Sequence, residues 1–268
     1  MSAPAAAPAP APARRDPFPP NWPARAAWGG LALYALYAAS TLEVTWERFV
    51  YGLGNGARFI GRMLPPDFSK TELLLRGLIE SLEIAVIASA VGILLAMPVG
   101  LMAARNLMPR WLSWPARGLI ALCRSFHAVI VAILFVKAVG FGALAGILAL
   151  VVSSIGFIAK LIAEAIEEIS LKPIEAMRAA GASFGGVVAM AVVPQVLDRF
   201  VGFATYQLDS NLRNSTMVGI VGGGGIGATL FTAFQKFDYD FVLAILIAII
   251  GVIFAGELLA GWIRDTFK

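Results

Sequence analysis

The feature that most constrains the fold of this chain is a series of long apolar segments separated by short polar ones. A helix needs about 20 apolar residues to cross the hydrocarbon core of a bilayer, since each residue adds about 1.5 Å. Hydrophobic residues make up 59% of the 268 residues and charged residues only 14%, whereas a soluble domain carries about a quarter charged residues. We therefore expect an all-α membrane protein with six transmembrane helices, over residues 27–45, 78–104, 119–139, 141–163, 196–221 and 241–262.

The polar segments between and before these spans divide the chain into three regions. Residues 1–24 are rich in Ala and Pro and are predicted to form a flexible cytoplasmic tail. Residues 25–76 are predicted to hold the first span and a periplasmic interfacial segment, because residues 46–76 mix arginines with aromatic side chains. Residues 77–265 then form a five-helix core that includes a polar loop, 164–194.

Charge indicates how the chain is oriented in the membrane. Six spans place both termini on one side, and Arg14, Arg15, Arg264 and Lys268 lie near the two ends. Since cytoplasmic loops are enriched in Lys and Arg, both termini are predicted to be cytoplasmic, although the first external loop is basic too. The net charge of +4 is explained by this bias, without a nucleic-acid partner.

The residue types argue against an enzyme with its own metal or cofactor. His127 is the only histidine and Cys123 the only cysteine, so neither a His cluster nor a Cys-based zinc site can form. A membrane enzyme would need His, Asp or Glu clustered near the interface, and the acids here are scattered. Residues 222–227 match G-x-G-x-x-G, but they follow a membrane helix instead of a strand, and no P-loop motif is present.

The loop 164–194 is too polar to span the membrane and too regular to be an irregular loop. It predicts two short helices divided at residues 171–173, with Pro173 and Glu175 in the first turn of the second helix. Alanines give that helix a smooth surface, and Gly181 breaks or bends it. A short helix of this kind suits a groove on another protein.

Three residues separate Glu175-Ala176-Met177 from Gly181, and nine residues separate Gly181 from Ala191. Val193 and Pro194 then close the segment. This spacing resembles the EAA loop of ABC importer permeases, where Ile and Leu are usual in place of Ala191 and Val193. In that family the loop forms a coupling helix that docks into a cleft of the ATP-hydrolysing subunit. The resemblance assigns coupling to Glu175, Ala176, Gly181 and Pro194.

Further stretches narrow the resemblance to the phosphonate-type permeases, and it extends from Pro65 to the C-terminus. These stretches are 64–69, 81–85, 163–169, 211–222, 226–227 and 237–240. The resemblance implies a type I importer permease with a cytoplasmic coupling helix, in a bacterial inner membrane. It also implies four kinds of contact: a second copy of the chain, two cytoplasmic ATPases that bind ATP and Mg²⁺, a periplasmic solute-binding protein, and membrane lipid.

The implied function is import of phosphonates or related phosphorus oxyanions by alternating access, without covalent chemistry in this chain. One alternative is the permease of another small-solute ABC importer, such as one for methionine. A second is an ion-coupled secondary transporter, which would leave the coupling-helix motif unexplained.

Polar groups within the spans are candidates for the translocation path or gate, because charges at bilayer depth persist mainly where they face a cavity or a partner. After Arg124-Ser125-Phe126 the family would have Pro or Asn and then Glu, whereas this chain has His127-Ala128. Local pairing and close helix packing remain alternatives for each candidate. The predicted path or gate residues are Arg124, His127, Asn211, Arg213, Ser215, Thr216, Gly222, Gly223 and Gly224.

Overall fold

The computed structural model describes residues 21–42 and 45–266, and within these ranges it contains helices and no strand. The chain divides into two units, Met1–Ile60 and Gly61–Lys268. The helices are α1 (Trp22–Thr41), α2 (Trp46–Arg62), α3 (Thr71–Ala103), α4 (Arg110–Ser125), α5 (Ala128–Val139), α6 (Ala143–Glu167), α7 (Lys172–Ala179), α8 (Phe184–Val187), α9 (Val193–Val218), α10 (Gly225–Gln235) and α11 (Tyr239–Thr266), with π-helical turns at Val188–Val192 and Gly219–Gly223.

Four helical runs in the described part of the chain are long and apolar enough to cross a membrane. They are Thr71–Ala103, Ala143–Glu167, Phe184–Gly223 and Tyr239–Leu259, and the bent pair α4–α5 supplies a fifth if it counts as one span. The predicted first span coincides largely with α1, which is helical but is not among these runs. Arg25, the Gly29–Gly30 pair and several Trp and Tyr side chains lower its apolarity. The predicted membrane fold is confirmed, and with four or five such runs among the described residues the predicted count of six spans is not confirmed.

The larger unit is built around α3 and α6, which pack against each other along much of their length. Small residues allow this close approach, as small side chains do in membrane helix pairs generally. A Cβ added at Gly92 would lie only 2.4 Å from Cβ of Ser154, and one at Gly100 would lie 2.8 Å from Cβ of Ile162. The backbones of the two helices therefore approach at positions where only glycine fits.

The predicted single span 119–139 is corrected by the structure into two helices. α4 ends at Ser125 and α5 begins at Ala128, and their axes differ by 90°. Phe126 and His127 have extended backbones, and Nδ1 of His127 accepts a hydrogen bond from the Val129 N–H at 3.4 Å. Since neither residue is Pro or Gly, the sequence gives no strong local sign of this bend.

A glycine-rich reversal follows α9. The helical φ/ψ pattern ends at Gly222, whose φ is +101°, and Gly224 has φ +80°. These values lie in the left-handed region, which glycine adopts without the steric cost of a Cβ. The chain then turns into α10, which packs on α3 and α11. The sequence analysis named Gly222 and Gly224 as path or gate residues but did not predict α10.

Candidate functional site: the coupling segment and the polar interior

Helix α7 lies at the end of the larger unit where α3 and α6 finish. Pro173 occupies its first turn, where a missing N–H costs nothing, and Glu175 is the acidic residue of that turn. At its other end Gly181 has φ +79°, the Gly181 N–H donates to the Arg178 carbonyl and the Ala182 N–H donates to the Met177 carbonyl, both at 3.0 Å. This pair of hydrogen bonds is a Schellman motif, which ends a helix at a left-handed glycine. The predicted second short helix and its break at Gly181 are present.

The predicted first short helix of the loop is corrected by the structure, because residues 164–167 are the last turn of α6. The reason is that nothing in this stretch stops a helix: Glu164, Ala165, Ile166 and Glu167 favour helix, and Lys160 pairs with Glu164 at 3.3 Å one turn apart. The helix ends only at Glu167, with Glu168 as its C-cap.

One face of α7 is anchored in the bundle and the other is exposed. Ile174 is 2% exposed and belongs to the apolar cluster formed where α3, α4, α6 and α9 meet, and Met177 packs against the same cluster. Glu175, Ala176 and Ala179 are exposed. The residues that carry the motif therefore form an available surface, while the isoleucine fixes the orientation of the helix.

The coupling segment, residues 170–195, is closed at its base by the side chain of Gln195. The Ser170 N–H donates to Oε1 of Gln195 at 3.1 Å, and Nε2 of Gln195 donates to the Ala191 carbonyl at 2.6 Å and to the Ser170 carbonyl at 3.4 Å. Pro194, exposed beside this glutamine, stands in the first turn of α9. The end of the α6 connection and the start of α9 are thus held together below α7.

Two neighbouring carboxylates attach the end of α6 in two directions. Glu167 accepts from the Arg105 N–H at 2.8 Å and from Nη2 of Arg117 at 2.5 Å. Glu168 forms an ion pair with Arg199 of α9. Nε of Arg117 also donates to the Ala103 carbonyl at 2.9 Å. The ends of α3, α4, α6 and α9 are therefore joined at the same end of the bundle as α7.

A buried polar network lies between α3, α6 and α9. Asn211 is 0% exposed, and its Nδ2 donates to Oγ of Ser89 at 2.9 Å and to Oγ of Ser154 at 3.0 Å. Nε2 of Gln207 donates to Oδ1 of Asn211 at 3.0 Å and to Oγ of Ser154 at 2.9 Å. Such hydrogen bonds stabilise helix association where no water can compete. Asn211, predicted as a path residue, is occupied here by contacts inside its own bundle.

The other predicted path residues are spread over three elements. Arg124, His127 and Arg213 are exposed. Among the described residues, these three side chains form no hydrogen bond or ion pair with one another. Arg213 pairs with Asp209 at 3.1 Å, one turn earlier on α9. Ser215 is buried and donates to the Leu212 carbonyl at 2.8 Å, while Thr216 is half-buried.

The predicted glycines Gly222, Gly223 and Gly224 bring the reversal after α9 against three other helices. The Gly142 N–H donates to the Gly222 carbonyl at 3.0 Å, and a Cβ on Gly146 would lie 2.3 Å from the Gly223 oxygen. A Cβ on Gly224 would meet Oε1 of Glu80 at 2.6 Å. The reversal is therefore packed tightly into the bundle, and its backbone groups are bonded to the start of α6.

Sequence reasoning missed three members of the polar network: Gln207, Ser89 and Ser154. The signal that could have found them is the spacing of four between Gln207 and Asn211, which puts both amides on one face of α9. Ser89 and Ser154 each interrupt a long apolar helix. What the sequence could not give is which helices bring these residues together.

These features define a class: a multi-pass helical membrane protein with a short exposed helix clamped to one end of its bundle. Residues 96–268 match the family described as the inner membrane component of binding-protein-dependent transport systems, and the chain belongs to this family.

Named relatives agree with that membership. The chain is 43% identical to the phosphate-import permease protein PhnE of Mycolicibacterium smegmatis over 206 residues, which are 76% of this chain and 39% of that relative. It is 39% identical to the phosphite transport system permease protein PtxC of Stutzerimonas stutzeri over 240 residues, 89% of this chain and 86% of that one. This chain therefore spans well under half of the first relative and most of the second.

A solved structure supports the fold. A chain of the MetNI methionine ABC transporter, in an inward-facing conformation, superposes with a TM-score of 0.66 at 25% identity. The match covers 75% of this chain and 99% of that chain. The expected type I permease architecture with its coupling helix is thus confirmed at the level of the fold.

Proposed function

We propose that the chain is the permease subunit of an ATP-driven importer of phosphonates or related phosphorus oxyanions. The observation that carries the proposal is the exposed Glu175–Ala179 surface of α7, held in place by Ile174. The substrate class is supported by the two relatives named for phosphate import and phosphite transport, at 43% and 39% identity. The methionine alternative is supported more weakly, by 27% identity over 192 residues to the probable D-methionine permease MetI of Vibrio cholerae.

In this mechanism the coupling segment carries motion from the ATPases to the spans. Two cytoplasmic ATPases bind ATP and Mg²⁺, and their closure moves the α7 helices of two permease copies. Because Gln195 and the Glu168–Arg199 pair join the end of α6 and the residues before α7 to α9, these two helices move together with α7. A periplasmic solute-binding protein delivers the substrate, and the permease alternates between two states whose balance these partners shift.

The orientation follows from the same proposal. The end of the bundle that carries α7 faces the cytoplasm, and both termini lie on that side of the inner membrane. A second copy of the chain completes the pore around a two-fold axis, because most assemblies of identical subunits have closed, and usually two-fold, symmetry. Co-purification of the chain with two different tags, expressed together, tests this: recovery of both tags supports the pair of identical permeases, and recovery of one tag with a different permease contradicts it.

The function is tested by uptake of a labelled phosphonate in cells that lack this gene. We expect the wild-type chain to restore uptake and Glu175→Arg to abolish it, since the substitution reverses the charge of the exposed coupling surface. Glu72→Arg is the matched control: the Glu72 side chain is 80% exposed and pairs with Arg76 in the first turns of α3. This control should keep uptake.

Each outcome is decisive once membrane insertion has been checked. Equal uptake by the wild type and Glu175→Arg contradicts coupling through α7. Uptake of methionine but not of phosphonate, phosphite or phosphate by the wild type would move the function to the alternative substrate. Uptake that persists without ATP but collapses with the ion gradient would support a secondary transporter.

A further inference from the structure

Helix α2 has two contrasting faces along its 17 residues. Trp46, Phe49, Val50, Leu53 and Ile60 recur at spacings of three, four and seven, so they form one stripe. These side chains are 77%, 56%, 49%, 60% and 60% exposed. An apolar surface of this size in contact with water is costly, and it requires an apolar occupant.

The opposite face of α2 is basic and also carries the aromatic side chains of Tyr51 and Phe59. Arg48, Arg58 and Arg62 lie on it together with Asn55 and with Glu47, which is the only acidic residue of the helix. Arg58 is oriented along this face, because its Nη2 donates to Oδ1 of Asn55 at 3.1 Å and its Nε donates to the Gly54 carbonyl at 3.4 Å. A guanidinium has five N–H donors, so these two contacts leave donors for an external acceptor.

The dimensions of α2 exclude a transmembrane position. Seventeen residues extend about 25 Å along the axis, which is shorter than the roughly 30 Å hydrocarbon core. Burying three arginines and a glutamate in that core would be costly as well. A helix with an apolar stripe, a basic opposite face and low overall apolarity is instead stable in the plane of the interface between water and lipid.

The charge of the polar face selects the lipid. Arginine binds phosphate oxygens through paired, parallel hydrogen bonds, and an anionic headgroup adds a net charge that a zwitterionic one lacks. We propose that α2 lies in the membrane plane with its Trp46–Ile60 stripe among the acyl chains, and that Arg58 and Arg62 bind the phosphates of anionic phospholipids. This assigns α2 a lipid-binding role that is separate from transport of the substrate.

The lipid preference is tested with the full-length permease in mixed micelles of phosphatidylglycerol and phosphatidylcholine, with the retained lipids counted by native mass spectrometry. A basic residue near an anionic surface contributes about 1 kcal/mol, so each removed arginine should lower the preference for phosphatidylglycerol about fivefold. We expect the double variant Arg58→Gln/Arg62→Gln to lose it and Glu47→Gln to increase it. Arg76→Gln, which removes an exposed arginine of α3, is the control that should leave the preference for phosphatidylglycerol unchanged.

The position of the helix is tested by spin labels on single cysteines in a Cys123→Ala background. A label at Leu53 should be accessible to oxygen, which concentrates in lipid, and a label at Asn55 should be accessible to a water-soluble nickel complex. Access of the nickel complex to both sites would place α2 in water, and protection of both sites would place it against a protein partner or a second copy. Either result overturns the proposal, as does an unchanged phosphatidylglycerol preference in the double variant.

Discussion

The buried network around Asn211 yields a prediction whose size can be worked out from its contacts. Replacing Asn211 with Leu keeps the number and branching of the side-chain heavy atoms but removes three hydrogen bonds, to Ser89, Ser154 and Gln207. Interhelical hydrogen bonds in membrane proteins contribute about 0.6 kcal/mol each on average. Only the bonds to Ser89 and Ser154 join different helices, whereas the bond to Gln207 lies within α9, where a side-chain pair four residues apart adds about 0.2–0.5 kcal/mol. We therefore expect Asn211→Leu to lower the free energy of unfolding by about 1.5 kcal/mol.

The loss in free energy of unfolding is not larger because the partners of Asn211 keep other hydrogen bonds. Oγ of Ser89 still donates to the Ala85 carbonyl at 2.7 Å, and Nε2 of Gln207 still donates to Oγ of Ser154 at 2.9 Å. Each of them keeps at least one hydrogen bond, so the larger cost of a buried polar group without any partner does not arise. Asn211→Asp should cost more than the leucine, since it places a charge at a fully buried site.

The assay is reversible unfolding of the purified permease in mixed micelles of increasing sodium dodecyl sulfate content. Asn214→Leu is the matched control on the same helix, because Asn214 is half-buried and makes one hydrogen bond, to Oγ of Ser210 at 3.3 Å. We expect this control to cost less than about 1 kcal/mol. Equal losses for the two variants would refute the reasoning. Normal stability of Asn211→Leu with lost uptake would instead support the prediction from sequence that Asn211 serves the path.

Two further predictions concern packing and coupling. Gly92→Ala should destabilise the bundle by about 1–3 kcal/mol, because the added methyl group overpacks α3 on α6. Gly118→Ala is the control: an added Cβ there meets nothing within 4 Å, so the variant should be neutral or should stabilise α4 by about 0.5–1 kcal/mol. The same unfolding assay measures both variants, and equal effects would contradict the close approach of α3 and α6. Ile174→Ala should release α7 by removing its buried anchor, seen as faster hydrogen exchange over residues 172–182 and weaker stimulation of ATP hydrolysis by the loaded binding protein, while the exposed Lys172→Ala should change neither. Unchanged exchange in the isoleucine variant would show that the hydrogen bonds at the base of the segment hold α7 without it.

The parts of this structure that the sequence predicted are those specified by local signals. Pro173 at the start and Gly181 at the end define α7, because each acts through the backbone of its own turn. The apolar runs likewise predict a membrane protein, since the bilayer sets the length of each span. The motif also identified the residues that form the exposed surface of α7. The predicted loop, however, began at residue 164, whereas α6 continues to Glu167.

The parts that the sequence did not predict depend on contacts between distant residues. The bend at Phe126 and His127 carries no Pro or Gly, so it follows from how α4 and α5 pack on α6. The network joins Asn211 to Ser89 across 122 positions and Gln207 to Ser154 across 53. The sequence shows that such polar groups are unusual in a membrane, but it does not show which partner each one meets.

The bridge made by Gln195 has a mechanical consequence. Its two hydrogen bonds to Ser170 close residues 170–195 into a ring, and its third, to the Ala191 carbonyl four residues earlier, holds the amide in place. In the proposed function, widening the base of the ring requires these two bonds to break, so we expect a force on α7 to act on the α6 connection and on α9 together. The amide group of Gln195 then limits how far the two sides of the segment move apart.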